Sequence, residues 1–382
     1  MIGSSSTAAR DAQAGRARSQ PTWRESLERT GIRRLGSPRA GFRWRAARGR
    51  RLTSDDYARL AELRIPPAWT DVWVSADPDA RVQAMGRDRA GRDQYLYHPR
   101  QAERRERHKF DRVRRFAAAL PRLRRAVARD LARPGLPREK VHAAIVRILS
   151  TCFLRPGSAA YADENGSYGI ATLRRRHVAV RGHTVVFDFR GKSGKDQHAE
   201  VTDRRVAGIV RALLRLPGAE VFKWVSDDGH VADVRRRTIN AYIKEVMGGS
   251  FSAKDFRTWA GTLVCACALA HQGADPAESR AARRRKLAEA IRETAALLGN
   301  TPAVCRSAYI QPRVLERFEH GQVLAGGPHA IVGLLAHRGA SHHPAERALL
   351  ALLEGRSGRH ARALRQRARS HHSPRASRRS GR

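Results

Sequence analysis

The stretch Leu298 to Ile310 reads Leu-Gly-Asn-Thr-Pro-Ala-Val-Cys-Arg-Ser-Ala-Tyr-Ile. It sets an amide, Asn300, in a tight Gly-Asn-Thr-Pro turn, and the residues after that turn predict a short helix that delivers a phenol, Tyr309. A phenol of ordinary pKa is only about one part in a thousand ionised at neutral pH, so as a nucleophile it needs cations around it and an electrophile held in line. Three other segments carry suitable cations. Arg155 closes an apolar helical segment just before a Pro-Gly break, and Lys192 lies in the Arg-Gly-Lys-Ser-Gly-Lys turn of a hairpin. Lys254 and Arg257 stand three apart at a helix start, on one face. The electrophile that suits this set is a phosphodiester. In-line attack builds negative charge on the non-bridging oxygens, and preorganised guanidinium donors stabilise it, each typically worth about 10²–10³ in rate. A lysine beside the leaving oxygen can protonate it, and the same cations ease phenolate formation. Taken singly, each residue has a plainer role: a solvated arginine, a polar turn lysine, a core tyrosine, Arg257 stacked on Trp259. The Gly-Lys-Ser turn is not a P-loop, because the Gly-x4-Gly-Lys-Ser/Thr spacing is missing.

Composition points to the same partner. In 382 residues Lys+Arg number 75 and Asp+Glu 36, a formal net charge of +39. Such an excess bears on partners rather than on fold, and polyanions, nucleic acid first, are the natural ones. Arginine outnumbers lysine, which favours bidentate phosphate contacts. No run of about 18 apolar residues predicts a membrane span, and the N-terminus lacks the apolar core of a signal peptide. Cys152, Cys265, Cys267 and Cys305 fit no zinc template and read as reduced core thiols of a cytoplasmic protein, with no metal role.

The elements that must position these residues divide the chain into four parts. Residues 1–50, rich in Arg, Ser, Gly and Ala, read as a basic, mostly disordered arm in which Trp23, Phe42 and Trp44 either dock the arm or stack on bases or, as the favoured reading, are accidental aromatics. Residues 51–100 read as a small β-rich domain: a capped helix after Thr53, then strands at Val72–Val74, Val82–Met85 and Gln94–Tyr97. Residues 101–320 read as a mainly helical domain. Gln101 to Leu120 is its first helix, with Phe110, Val113, Ala117 and Leu120 on one stripe and Arg104, Arg105, Arg107 and Lys109 off it. Pro121, Pro134 and Pro137 punctuate the next helical segments, and Val141 to Phe153 is apolar at helical spacing. His177–Val180 and Thr184–Phe189 form a hairpin, joined by a third strand at Gln197–Val201. From Arg204 on the pattern is helical almost throughout, and Glu278 to Leu298 is expected to be the longest helix. Residues 321–382 form a basic extension with a capped helix at Pro344–Leu353 and a disordered remainder after 355, whose arginines add non-specific affinity for DNA. The fold class is α+β.

Several stretches carry a family resemblance in their order along the chain: Leu154-Arg155, Asn165 to Arg174, Phe189 to Lys195, Lys254 to Thr262 and Leu298 to Ile310. Over about residues 50–318 the sequence resembles the type IB DNA topoisomerases of the bacterial, poxvirus-like branch. The resemblance implies a β-rich N-terminal domain and a helical catalytic domain with a three-stranded sheet, closing as a monomeric clamp on duplex DNA. It implies that Tyr309 is the nucleophile forming a 3′-phosphotyrosine and that Arg155 and Arg257 bind the scissile phosphate. Lys192 is then the general acid, and Lys254 its partner in expelling the 5′-hydroxyl. In the small domain Gly91 to Tyr97 resembles a DNA-contacting strand, which makes Arg92, Gln94, Tyr95 and Tyr97 DNA contacts. Asn300 stands where the poxvirus and eukaryotic enzymes have His; it still donates a hydrogen bond to a non-bridging oxygen but adds no charge. Pro156 and Ser158-Ala159 depart from the Gly and Asn usual in bacterial relatives.

The expected activity is relaxation of supercoiled duplex DNA by an enzyme of the nucleoid that needs neither ATP nor metal nor any other cofactor. A tyrosine recombinase shares the Arg/Lys/Arg/Tyr chemistry, but it usually places His three before the second arginine, where this chain has Lys254, and a helical domain where residues 65–98 read as strands. A basic DNA-coating protein would explain the charge without requiring Tyr309 and its cations together.

Overall fold

The computed structural model describes residues 22–89, 91–249, 251–275, 277–325, 333–334 and 337–355, with the backbone alone for 102–107, 109–110 and 161. The chain forms two compact units, up to Lys109 and from Phe110 on. The expected boundary at residue 100 therefore moves into a helix.

In the first unit the order is α1 (Trp23–Thr30), β1 (Ile32–Ser37), β2 (Gly41–Ala46), α2 (Ser54–Glu62), β3 (Thr70–Val74), β4 (Val82–Arg87) and β5 (Asp93–Tyr97). The strands make one antiparallel sheet in the order β2-β1-β3-β4-β5. Residues 22–50 are thus not a disordered arm: they supply a helix and two of the five strands. Phe42 and Trp44 alternate with Arg43 and Arg45; Trp44 packs on the core, and Phe42 lies beneath the Arg34 guanidinium, 4.1 Å from its carbon. One face of the sheet buries Ile32, Val72, Val74 and Ala84 with Leu60 of α2, and the other buries Val82 and Met85 with Leu27 of α1. Both helices open with a capping box, from Thr22 to Glu25 and from Thr53 to Asp56. The arm before residue 22 lies outside the described residues.

The boundary between the units falls within α3 (Pro99–Asp130). This 32-residue helix runs through Pro121, where the sequence suggested a break. Val113, Phe116, Ala117, Leu120, Leu123 and Val127 form one unbroken buried stripe. Burying a large apolar side chain is worth roughly 1.5–3 kcal/mol, so several together outweigh the roughly 3 kcal/mol cost of an internal proline. The side chains of Phe110, Arg104, Arg105, Arg107 and Lys109 lie outside the described residues.

Next come α4 (Arg138–Cys152), α5 (Ala159–Asn165) and a three-stranded antiparallel sheet of β6 (Val178–Arg181), β7 (Thr184–Arg190) and β8 (Asp196–Thr202), with β7 central. After α6 (Arg204–Leu213) an unexpected hairpin, β9 (Lys223–Val225) and β10 (Val231–Asp233), interrupts the helical run. Strands of three residues are too short to display a period. Then follow α7 (Arg236–Met247), α8 (Ala253–Gln272), α9 (Arg280–Leu297), α10 (Pro302–Ala308), α11 (Pro312–Glu319) and a C-terminal helix, Pro344–Leu353. The helix expected to be longest, α9, is shorter than α3 and α8, although Leu287, Ile291 and Leu298 do face inward. One hydrophobic core joins these elements, including Leu349, Leu352 and Leu353 of the C-terminal helix. Residues 356–382 lie outside the described residues.

Candidate active site

Helix α8 is the spine of the site. Its N-terminus is fixed by Asp255, whose carboxylate accepts from the Ser252 N–H at 2.7 Å and from Arg112 through two donors, and by Asn240, which accepts from the Ala253 N–H. Lys254 is exposed on the first turn, while Arg257, one turn further in, is 3 % exposed. A buried guanidinium must find acceptors. Arg257 donates to the carbonyl of Phe153 and, at 2.8 Å, to that of Leu298. Phe153 ends α4 in a left-handed conformation, φ 52°. Leu298 ends α9. One side chain thus ties together the ends of two helices, and its Nε–H is buried with no partner among the described residues.

Arg155 follows that α4 cap. Ile170 N–H donates to the Arg155 carbonyl at 2.9 Å and Ala171 N–H to that of Pro156 at 3.0 Å. A Cβ on Gly169 would stand 2.5 Å from Gly157 N and 2.7 Å from the Arg155 carbonyl oxygen, so the crossing requires glycine. Pro156 is accommodated, because its carbonyl, not an N–H, makes the contact. The Arg155 guanidinium donates to Asn300 Oδ1 at 2.6 Å. This fixes the amide orientation and leaves Asn300 Nδ2, like Arg257 Nε, a buried donor with no acceptor among the described residues.

Tyr309 caps α10, which starts on Thr301 and Pro302. The Arg257 guanidinium carbon lies 4.9 Å from its ring centroid. Burial pushes the phenol's pKa up, but Arg257, followed by Arg155 and Lys254, outweighs it and holds the pKa below the ordinary value. Burial lowers the pKa of Arg155, while the facing Tyr309 works in the opposite sense. Arg155, Arg257, Asn300 and Tyr309 therefore converge, with Lys254 in electrostatic reach. Lys192 is exposed in the β7–β8 turn and makes no hydrogen bond or ion pair among the described residues. That turn is tethered nearby: Tyr168 N–H donates to the Arg190 carbonyl at 2.8 Å, and Gln197 packs so closely on Gly299 that a Cβ there would lie 2.7 Å from its Oε1.

Sequence reading gave no role to two residues that seat Tyr309. A Cβ on Gly261 of α8 would fall 2.8 Å from Tyr309 Cβ and 3.0 Å from its carbonyl oxygen. The fully buried Thr262 hydroxyl lies 3.1 Å from the same carbonyl oxygen and accepts from the Gln311 N–H at 3.2 Å. A glycine inside an otherwise apolar helix was the available signal.

In the first unit Arg92 and Gln94 both bind Asp88, at 3.0 and 2.9 Å, and Tyr95 stacks beside Tyr97 with ring centroids 6.3 Å apart. Tyr95 is 37 % exposed, whereas Tyr97 packs partly against the Leu27 cluster. Cys265, Cys267 and Cys305 are buried free thiols and Cys152 a half-buried one; burial raises all four, Cys305 to about 11 and the others to about 12. Among the described residues no helix is long and apolar enough to cross a membrane.

Comparison with known proteins places these residues in context. Residues 99–322, more than half of the chain, match the family model of the eukaryotic DNA topoisomerase I catalytic core. Residues 41–88 match that of the bacterial DNA topoisomerase IB N-terminal domain, which reaches into the segment first read as an arm. The DNA topoisomerase 1B of Acanthamoeba polyphaga mimivirus is 33% identical over 274 residues, 70% of this chain and 82% of that protein. The DNA topoisomerase 1B of vaccinia virus (strain Copenhagen) is 25% identical over 278 residues, 69% and 83% of the two chains.

Proposed function

Given that the chain belongs to the type IB DNA topoisomerases, we propose that it relaxes supercoiled duplex DNA through a covalent phosphotyrosine, with Tyr309 as nucleophile. The observation that carries this reading is a phenol set against a buried guanidinium, beside two donors, Arg257 Nε–H and Asn300 Nδ2–H, that have no acceptor among the described residues. Unsatisfied buried donors cost about 1–3 kcal/mol each, and a non-bridging phosphate oxygen would satisfy them.

Tyr309 gives up its phenolic proton to solvent water and attacks the phosphorus, forming the Tyr–O–P bond to the 3′-phosphate as the P–O5′ bond breaks. Arg155, Arg257 and Asn300 hold the charge that grows on the non-bridging oxygens. The departing O5′ takes a proton from Lys192, with Lys254 alongside. The exposed hairpin turn lets Lys192 reach that oxygen once DNA is bound. The free 5′ end rotates and then attacks the phosphotyrosine, reversing each step. The phosphoester conserves the bond energy, so neither ATP nor a metal ion enters the balance. Arg92, Gln94, Tyr95 and Tyr97 contact the duplex from the N-terminal unit, and the protein works as a monomeric clamp in the nucleoid.

The test is incubation with supercoiled plasmid in EDTA without ATP, followed by denaturant trapping and mapping of the adduct. Wild type should relax the plasmid and carry DNA on Tyr309 through a 3′ end, and Tyr309→Phe should do neither. Relaxation by Tyr309→Phe at the wild-type rate would overturn the mechanism. Strict dependence on paired recognition sites would point to recombination, and binding without relaxation to a coating role.

A further inference from the structure

A second cationic cluster lies away from Tyr309, where the C-terminal helix closes on α3, α4 and α8. These elements enclose a cavity of about 70 Å³ lined by Arg124, Arg147, Arg338, His337, Glu346, Ser150 and Thr151 among apolar side chains. Roughly 10–15 Å³ admits one water, so the space holds several waters or one small tetrahedral oxyanion.

The charges around it do not balance. Arg147 is 9 % exposed, yet its guanidinium makes no hydrogen bond among the described residues; its nearest carboxylate oxygen, on Asp203, stands 3.9 Å away. That separation is beyond hydrogen-bond range. The same Asp203 oxygen faces Arg338 at 3.5 Å, and the other Asp203 oxygen is occupied by the backbone N–H groups of Arg205 and Val206 at the start of α6. The remaining carboxylate, Glu346, is 1 % exposed and committed to Arg124 at 2.7 and 2.9 Å and to the His343 N–H. Both carboxylates are thus engaged elsewhere, and Arg147 has no hydrogen-bonded counter-ion among the described residues. A buried cation with open donors is costly unless an anion or water meets it.

We infer that this cavity is a binding site for a small tetrahedral oxyanion of the phosphate class, with the Arg147 guanidinium as its principal ligand and Arg338 as the second cation. The Ser150 and Thr151 hydroxyls, which donate to the Val146 and Arg147 carbonyls, keep lone pairs toward their surroundings and leave the anion's charge to the arginines. The cavity also touches Phe153, whose carbonyl holds Arg257, so occupancy stiffens the floor of the active site from behind.

The test uses the full-length protein with inorganic phosphate, against chloride at matched ionic strength, to discount its general affinity for anions. Phosphate should raise the Tm of wild type above the chloride control, and Arg147→Met should weaken the phosphate dependence at least about tenfold, as expected for loss of a charge-assisted contact. Equal phosphate dependence in Arg147→Met and wild type overturns the assignment. Should Arg147→Met fail to fold, wild-type crystals soaked in selenate decide the matter. An anomalous peak between Arg147 and Arg338 supports the site, and selenate confined to exposed arginines refutes it.

Discussion

Gly261 sets the tightest limit on where the phenol stands. Any Cβ at this position meets the Tyr309 Cβ and carbonyl, neither of which can move without moving the phenol. Gly261→Ala should therefore slow single-turnover cleavage by about 10²-fold, the usual penalty for an ångström of misplacement, while leaving duplex affinity nearly unchanged. Cleavage at the wild-type rate would show that the contact is slack. The cations bear on protonation instead. They hold the Tyr309 pKa below that of a free phenol, so the cleavage rate should level off at a lower pH than a free phenol would dictate. Arg155→Ala removes one of those charges, so the limb of the pH–rate profile should move to higher pH, on top of a loss of about 10²–10³ in rate. Much of this site was legible in the sequence because Arg155, Arg257, Asn300 and Tyr309 occur in short, distinctive stretches. The seat of Tyr309 was not, because it consists of a missing side chain and a backbone carbonyl. Nor could spacing say that Arg257 would spend two donors on the carbonyls of Phe153 and Leu298.

The helices and strands were legible wherever burial imposes a period. Val113, Ala117 and Leu120 mark the inner face of α3, and β6, β7 and β8 fall close to where alternation places them. The β1–β2 ribbon was lost because arginine dominates its composition, although Phe42-Arg43-Trp44-Arg45 alternates as a half-buried strand should. Tertiary burial also overrode the local veto of Pro121. The packing of α4, α7 and β9 leads to a measurable consequence. His142 of α4 is fully buried between Trp224 and Tyr242, its Nδ1–H donates to the Arg138 carbonyl at 2.6 Å, and its Nε2 lies 2.9 Å from the Thr238 hydroxyl. Burial lowers its pKa from 6.5 to about 4. The unfolded chain therefore binds a proton more readily than the folded one between these values. The contribution is fully present above pH 6.5 and is lost as pH falls toward 4, a difference on the order of 3 kcal/mol. Urea unfolding at pH 7.5 and pH 5 should show about 2 kcal/mol of this loss, and His142→Gln should flatten the dependence; an unchanged slope in the variant would assign it elsewhere.

The molecule's charge governs how it meets DNA. Residues 356–382 contain ten arginines and no acidic residue. Each phosphate contact contributes about 0.9 to the slope of log K against log salt. A chain ending at Gly355 should bind duplex DNA with a slope smaller by at least about two, yet relax plasmid at low salt as the full chain does. An unchanged slope would mean that the tail does not touch DNA. Arg257 raises a different matter, because the charge proposed to hold the scissile phosphate is also a strut. Its two carbonyl partners close the ends of α4 and α9, so no substitution there silences the chemistry alone. Anyone wanting an inert decoy that still grips DNA should build it at position 309, where the hydroxyl can go and the ring can stay. By the same logic, natural variants at 257 should turn up as aggregates or degraded chains rather than as intact, inactive enzyme.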